Sequence, residues 1–161
     1  MGSGAAELKR TLQVLNELES AGVLSRYAIG GAMGATFYVE PVLTFDLDVF
    51  VMLPEFRSGL LSLTSLYNEC MWIEGVPVQF LPVYNALLEE ALAEARETVY
   101  EDTPTRVLRA EHLAAICIQT GRKKDRERVR LLREQAELDV EYLKKVLARH
   151  NLEMQWNLWK T

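Results

Sequence analysis

Cysteine is scarce in this chain: Cys70 and Cys117 are the only two among 161 residues. They stand far apart, which argues against a disulfide-stapled secreted scaffold and reads as reduced, cytoplasmic thiols. Histidine is equally scarce. His112 and His150 share no metal-ligand spacing with each other or with a cysteine, so no structural zinc site is expected. Long apolar runs are missing too. The longest stretch without Asp, Glu, Lys or Arg runs from Gly75 to Leu88 and contains Pro77 and Pro82. It falls short of the about 20 residues that a membrane span needs. The chain opens Met-Gly-Ser-Gly before an amphipathic segment, without the apolar region of a secretory signal. Ala6 stands where a myristoylation pattern needs Ser or Thr. No membrane partner is expected.

What is present is ordinary globular composition, 49% hydrophobic and 25% charged, which argues against disorder. The net charge of -5 hides a split along the chain. Residues 1–102 carry 5 basic and 15 acidic side chains, and residues 103–161 carry 13 basic and 8 acidic. Halves of net -10 and +5 read as two regions facing different tasks, or facing each other across a cleft.

Leu8, Leu12, Leu15 and Leu18 recur at helical spacing and predict a helix over residues 5–20, closed by Gly22. Arg26 to Ile29 reads as a strand entering a Gly30-Gly31 turn, with a short helix over 32–39. Thr44 to Met52 is the clearest strand, rich in Val, Phe and Leu between Pro41 and Pro54. Ser58 to Cys70 reads as a helix. Met71–Ile73 and Val76–Leu81 read as a hairpin around Glu74-Gly75. Tyr84 to Thr98 reads as one long helix, and Val107 as the end of a short edge strand. Helices are predicted over Glu111–Thr120, Lys123–Gln135, Val140–Arg149 and Leu152–Trp159. This order predicts an α+β architecture: an α/β core over 1–108 and a helical region over 109–161 packed on it.

Two features stand out for chemistry. The first is Gly30-Gly31 after a strand. The second is Thr44-Phe45-Asp46-Leu47-Asp48-Val49 in the next strand. Alternation along a strand puts Asp46, Asp48 and Thr44 on one face. Adjacent carboxylates repel each other, and a divalent cation removes that repulsion. Mg²⁺ or Mn²⁺ suits hard oxygen ligands and completes its shell with substrate phosphates. Paired glycines let backbone N–H groups approach phosphate oxygens. Together they describe a nucleoside-triphosphate site and metal-assisted displacement at phosphorus.

These residues resemble the nucleotidyltransferase superfamily related to DNA polymerase β. The form Ile-Gly-Gly-Ala…Thr-x-Asp-Leu-Asp looks like the branch of AbiE-type toxins and small bacterial nucleotidyltransferases. Glu111-His112-Leu113…Thr120-Gly121-Arg122-Lys123-Lys124-Asp125 is similar to a later segment of that branch, so the resemblance spans about residues 26–133. It implies a mixed sheet with flanking helices and a C-terminal helical bundle. It also implies transfer of a nucleoside monophosphate from a triphosphate to an acceptor hydroxyl on RNA, protein or a small molecule, with toxin–antitoxin involvement. Gly30, Gly31, Thr44, Arg122 and Lys123 would bind the nucleotide, and Asp46 and Asp48 would be catalytic and hold the metal.

Catalytic members add a third carboxylate on a neighbouring strand. The matching position here is Gln79, a poor metal ligand that cannot act as a base. Either Glu74, Glu90 or Asp125 substitutes, or the fold is catalytically degenerate and serves as a nucleotide- or protein-binding module.

The run 122–133 holds seven basic and two acidic residues. It reads either as a solvated helix face or as a surface facing triphosphate or an RNA backbone. The charged tail is expected to pack within the monomer or to serve a homodimer. His112 and His150 read as structural or surface residues, Cys117 as buried and inert, and Trp72, Trp156 and Trp159 as core or interface packing.

Overall fold

The computed structural model describes residues 3–40, 46–52 and 71–160. Its elements are α1 (Ser3–Ser20), β1 (Arg26–Gly30), α2 (Gly31–Ala35), β2 (Leu47–Met52), β3 (Met71–Ile73) and β4 (Val76–Pro82). There follow α3 (Ala86–Ala93), β5 (Arg96–Tyr100), β6 (Thr103–Val107), α4 (Ala110–Thr120), α5 (Lys123–Gln135), α6 (Val140–Arg149) and α7 (Glu153–Lys160). The expected Thr44–Met52 strand begins at Leu47, and positions 44 and 45 lie outside the described residues, as does the helix expected over Ser58–Cys70.

The strands form one mixed sheet in the order β3-β4-β2-β1-β6-β5. β1 runs antiparallel to β2 and parallel to β6, while β2 runs parallel to β4. Its two faces are covered differently, and the alternation of side chains decides how. Tyr27, Ile29, Leu47, Val49, Val51, Val78 and Phe80 point to the side where Leu8, Leu12 and Leu15 of α1 pack. Ala28 and Phe50 point to the opposite side, into a larger core with Leu113, Val129, Leu143 and Trp156 of the C-terminal helices. One apolar core therefore joins the sheet to the basic half of the chain. No helix among the described residues is long and apolar enough to cross a membrane.

Two expectations are corrected. The helix expected over Tyr84–Thr98 ends at Ala93, and Arg96–Tyr100 is strand β5. β6 is not an edge strand, because it lies between β1 and β5. Both errors have one cause. Glu101 and Asp102 form the two-residue hairpin turn between β5 and β6 with φ of 46° and 65°. Such turns favour Asn-Gly or Asp-Gly, so an acidic pair without glycine carries no hairpin signal. The Glu74-Gly75 turn, with φ of 53° and 84°, carries one and was foreseen.

Smaller corrections follow the same logic of local ends. The second helix covers only Gly31–Ala35, and the last is Glu153–Lys160. Trp156 and Trp159 do pack on the core, but Trp72 stands 71% exposed on edge strand β3.

Candidate active site

β1 ends at Gly30, and β2 runs back beside it so that Gly30 and Asp48 face each other across the antiparallel ladder. The two chains come very close here. A Cβ on Gly30 would sit 2.3 and 2.6 Å from two ring carbons of Phe50. A Cβ on Gly31 would sit 2.1 Å from Asp48 Oδ2, and Gly31 has φ of +60°. Glycine is needed twice, first for an aromatic ring and then for a carboxylate and a left-handed backbone. We expect Gly31→Ala to destabilise the fold by about 1–3 kcal/mol through strain and displacement of the Asp48 carboxylate. Thermal unfolding checks this; a melting temperature equal to that of the wild type would contradict it.

Asp48 lies on the helix-covered face of the sheet, the side shared with Phe50. Burial pushes its carboxyl up to about 6, and the negative charge of Asp46 adds to the rise. Arg128, Arg122 and Lys124 oppose it. Asp48 Oδ1 is buried without a hydrogen-bond partner. An unsatisfied buried carboxylate oxygen beside a second carboxylate is costly, and a bound cation or its hydration shell would satisfy it. Asp46 lies one residue before β2, so its coupling to Asp48 is set by the entry to the strand.

The cations come from the start of α5. Asp125, buried at 1%, accepts from Arg122 Nε at 2.7 Å and from the Arg122 backbone N–H at 3.1 Å. This fastens the first turn of α5 and fixes the Arg122 guanidinium. Arg128 sits on the same side one turn later. Its Nη1 is 3.8 Å from Asp125 Oδ1 and 4.0 Å from Cys117 Sγ, both long contacts. A loosely held, four-fifths buried guanidinium facing a carboxylate pair is suited to a phosphate. Between these groups lies a cleft of about 190 Å³. Its walls are Gly31, Asp48, Phe50 and Tyr84 on the sheet side, and Leu113, Ile116, Cys117, Thr120, Arg122, Asp125 and Arg128 on the helix side. Burial pushes the Cys117 thiol up to about 11, so it is an inert wall residue.

The structure thus gathers Gly31, Asp48 and Arg122 at one cleft, with Gly30 at its edge and Asp46 coupled to Asp48. Thr44 lies outside the described residues. Lys123 does not line the cleft; it lines a separate groove on the outer side of α5. Gln79 is the register partner of Asp48 in the parallel β2–β4 pair, so the two side chains stand on one face. Of the candidate substitute carboxylates, Glu74 pairs with Arg10 at 3.7 Å on the β3–β4 turn. Glu90 is occupied elsewhere, as described below. Asp125 reaches the cleft but is held by Arg122.

Among the described residues no three of His, Cys, Asp and Glu converge on a metal-sized position. Asp46 and Asp48 supply two carboxylates, and the orphaned Oδ1 is what an absent ligand would leave. The donor set fits one divalent cation that takes its other ligands from phosphate and water.

Sequence reasoning missed two things. Arg128 was hidden in a run of seven basic residues, and only its position three after Asp125 distinguishes it. The second is a cluster outside the cleft lining, assembled from α3, α4 and the end of α6. Glu90 of α3 accepts from Arg149 Nε at 2.9 Å and contacts Nε2 of His112 at 2.8 Å and of His150 at 3.3 Å. No spacing links residues so far apart in the chain.

No family model matches the chain, and no curated protein matches it. Among solved structures, the chain is similar to an antigenic nucleotidyltransferase-like protein from Paracoccidioides brasiliensis. The TM-score is 0.51 at 16% identity, over 96% of this chain and 93% of the other. At that identity the likeness concerns the fold, which is nucleotidyltransferase-like: a mixed six-stranded sheet with flanking helices.

Proposed function

Starting from that fold, we propose that the chain is a Mg²⁺-dependent nucleotidyltransferase. It transfers a nucleoside monophosphate from a triphosphate to an acceptor hydroxyl. The observation that carries this is Asp48, with a buried oxygen lacking any partner, coupled to Asp46 and faced by Arg122 and Arg128 across a cleft. Asp46 and Asp48 would hold the cation, which when bound neutralises phosphate charge and polarises the phosphoryl group. Gly30 and Gly31 let Phe50 and the Asp48 carboxylate come close to the backbone, and Gly31 places its own backbone in the wall of the cleft that would take the triphosphate. Arg128 and Arg122 stabilise negative charge building on the pyrophosphate as it leaves. The acceptor oxygen bonds to the α-phosphorus, the bond to pyrophosphate breaks with its electron pair leaving on the pyrophosphate oxygen, and the acceptor's proton passes to solvent water.

Gln79 beside Asp48 favours a second reading, a degenerate site that binds nucleotide without turnover. Incubation with α-labelled triphosphates and candidate acceptors, with pyrophosphate release measured in parallel, separates the two. Label transfer that needs Mg²⁺ and falls at least about tenfold in Arg128→Ala supports the enzyme. Mg²⁺-dependent triphosphate binding without any transfer supports the module.

The setting we propose for either reading is the cytoplasm, where nucleoside triphosphates are available. The toxin–antitoxin role implied by the motif resemblance has its own test. Expression in a bacterial host should arrest growth, and Asp48→Asn should relieve the arrest; unimpeded growth would remove that role.

A further inference from the structure

The outer side of α5 carries a second concavity, lined by other residues than the cleft. A surface groove of about 970 Å³ runs between α5 and α7, walled by Lys123, Lys124, Arg126, Arg133, Trp159 and Lys160. Two facts separate it from an ordinary solvated helix face. First, most of its cations stand outside the ion pairs of the helix. The ion pairs of α5 join Arg122 and Arg128 to Asp125, and Arg130 to Glu127 and Glu134, and Lys123, Lys124 and Arg126 stand outside them. Arg133 and Lys160 lie over the Trp156 ring, 5.2 and 5.7 Å from its centroid. An aromatic face holds these two in place without cancelling their charge. Arg130 is neutralised by Glu127 and Glu134. Second, an aromatic side chain, Trp159, stands in the wall among these cations.

Lys123, Arg126, Arg130 and Arg133 follow at helical steps of three and four, a row along one face about 15 Å long. A row of that length suits a chain of phosphates better than one compact triphosphate. An indole beside it suits a base, which stacks on aromatic faces whatever its identity. An acidic polypeptide would use the cations and leave the solvent-facing part of the half-buried indole unused. The groove begins beside the cleft: Arg122 lines the cleft, and the next two residues of the chain, Lys123 and Lys124, line the groove.

We propose that this groove binds single-stranded nucleic acid through its phosphates and a base stacked on Trp159, and leads an acceptor strand to the cleft. The acceptor role rests on the nucleotidyltransferase reading; the binding itself does not.

The test uses the full chain and a fluorescein-labelled 12-nucleotide single strand, as RNA and as DNA of the same sequence. Anisotropy is read between 50 and 200 mM salt without Mg²⁺ or triphosphate. With about four phosphates neutralised, the logarithm of the affinity should fall against the logarithm of salt with a slope near -3. R126E/K160E, both surface positions, should weaken binding at least about tenfold and roughly halve the slope. W159A should weaken it about fivefold or more while leaving the slope unchanged. Failure of the wild type to bind either strand at 50 mM salt overturns the proposal. So does wild-type affinity in R126E/K160E. Competition by poly-glutamate as effective as unlabelled strand also overturns it, in favour of an acidic protein partner.

Mg²⁺-dependent triphosphate binding is measured alongside. Triphosphate binding without strand binding sinks the groove and leaves the cleft reading standing. Strand binding without triphosphate binding sinks the cleft reading and, with it, the acceptor role of the strand.

Discussion

Asp48→Asn should abolish Mg²⁺-dependent nucleotide binding and transfer, and should also make the metal-free protein more stable. The two effects have one origin. Asp48 is held where a carboxylate is poorly solvated, with one oxygen unpartnered and Asp46 nearby, so its carboxyl rises from an ordinary 3.8 to about 6. A carboxyl whose native value is raised favours folding when protonated. Its stability contribution is complete below the unfolded value, is lost as pH climbs through about 6, and is absent at neutral pH. A rise of this size corresponds to roughly 3 kcal/mol of destabilisation at pH 7.5. An asparagine of the same shape removes the charge, although its amide still lacks partners, so part of the gain is returned. The expected net result is a melting temperature about 5 °C higher in chelator at pH 7.5. That advantage should shrink as pH falls towards 5, because the wild type then protonates. Nucleotide-dependent activity should fall at least about a hundredfold. Thermal unfolding from pH 5 to 8 in chelator checks the stability arm. A variant that melts below the wild type throughout would mean that Asp48 is satisfied in the apo protein, against this account.

Glu90→Ala should be the most damaging single change outside the cleft. Burial by itself would raise this carboxyl, but hydrogen bonds from Arg149, His112 and His150 outweigh it and hold it at about 2. His112 is fully buried, and burial lowers its own pKa despite the opposing pull of Glu90. The neutral ring therefore donates from Nε2 to the carboxylate, and Nδ1 is left buried without a partner. Removing Glu90 strands the second ring nitrogen as well and frees Arg149 and His150, which tie the end of α6 to α3. The expected loss is about 3 kcal/mol, a melting temperature lower by roughly 6–12 °C. Glu90→Gln should lose less, because an amide oxygen still accepts. The sign of the pH dependence follows from the directions of the shifts. Glu90 and His112 both titrate below their ordinary values, so each adds stability above that value and loses it on acidification. His112 acts as pH falls below about 6.5, and Glu90 between the ordinary carboxylate range and about 2. Acid unfolding monitored by far-ultraviolet circular dichroism should shift to higher pH in Glu90→Ala. An unchanged profile would show that the cluster does not hold α6.

Much of this was readable from residues alone, and the parts that were not share a reason. The paired glycines and the strand that carries Asp48 are local signals, because turn geometry and strand alternation act within a few residues, whereas Asp46 falls one residue before that strand. Helices at Lys123–Gln135 and Val140–Arg149 came out with their observed bounds, since periodic apolar positions end where the pattern ends. β5 reads as helix because its hairpin turn, Glu101-Asp102, lacks the glycine that marks such a turn in the sequence. Arg128 and the Glu90 cluster are products of tertiary packing. Nothing near Glu90 in the chain announces that His112 and His150 will meet it, and nothing in a basic run says which guanidinium turns inward.

The sheet face also explains the opening charge split more narrowly than a cleft between two halves. The acidic half contributes Asp46 and Asp48. The basic half sends Arg122 and Arg128 inward to face them, and turns Lys123, Arg126 and Lys160 outward to the groove.

The most direct test of the central claim is calorimetric titration of ATP, GTP, CTP and UTP into the wild type and Asp48→Asn, each with Mg²⁺ and with chelator. The account predicts binding of at least one triphosphate to the wild type only with Mg²⁺, and none to Asp48→Asn under either condition. Binding that is equally strong in chelator, or that survives Asp48→Asn, would contradict it.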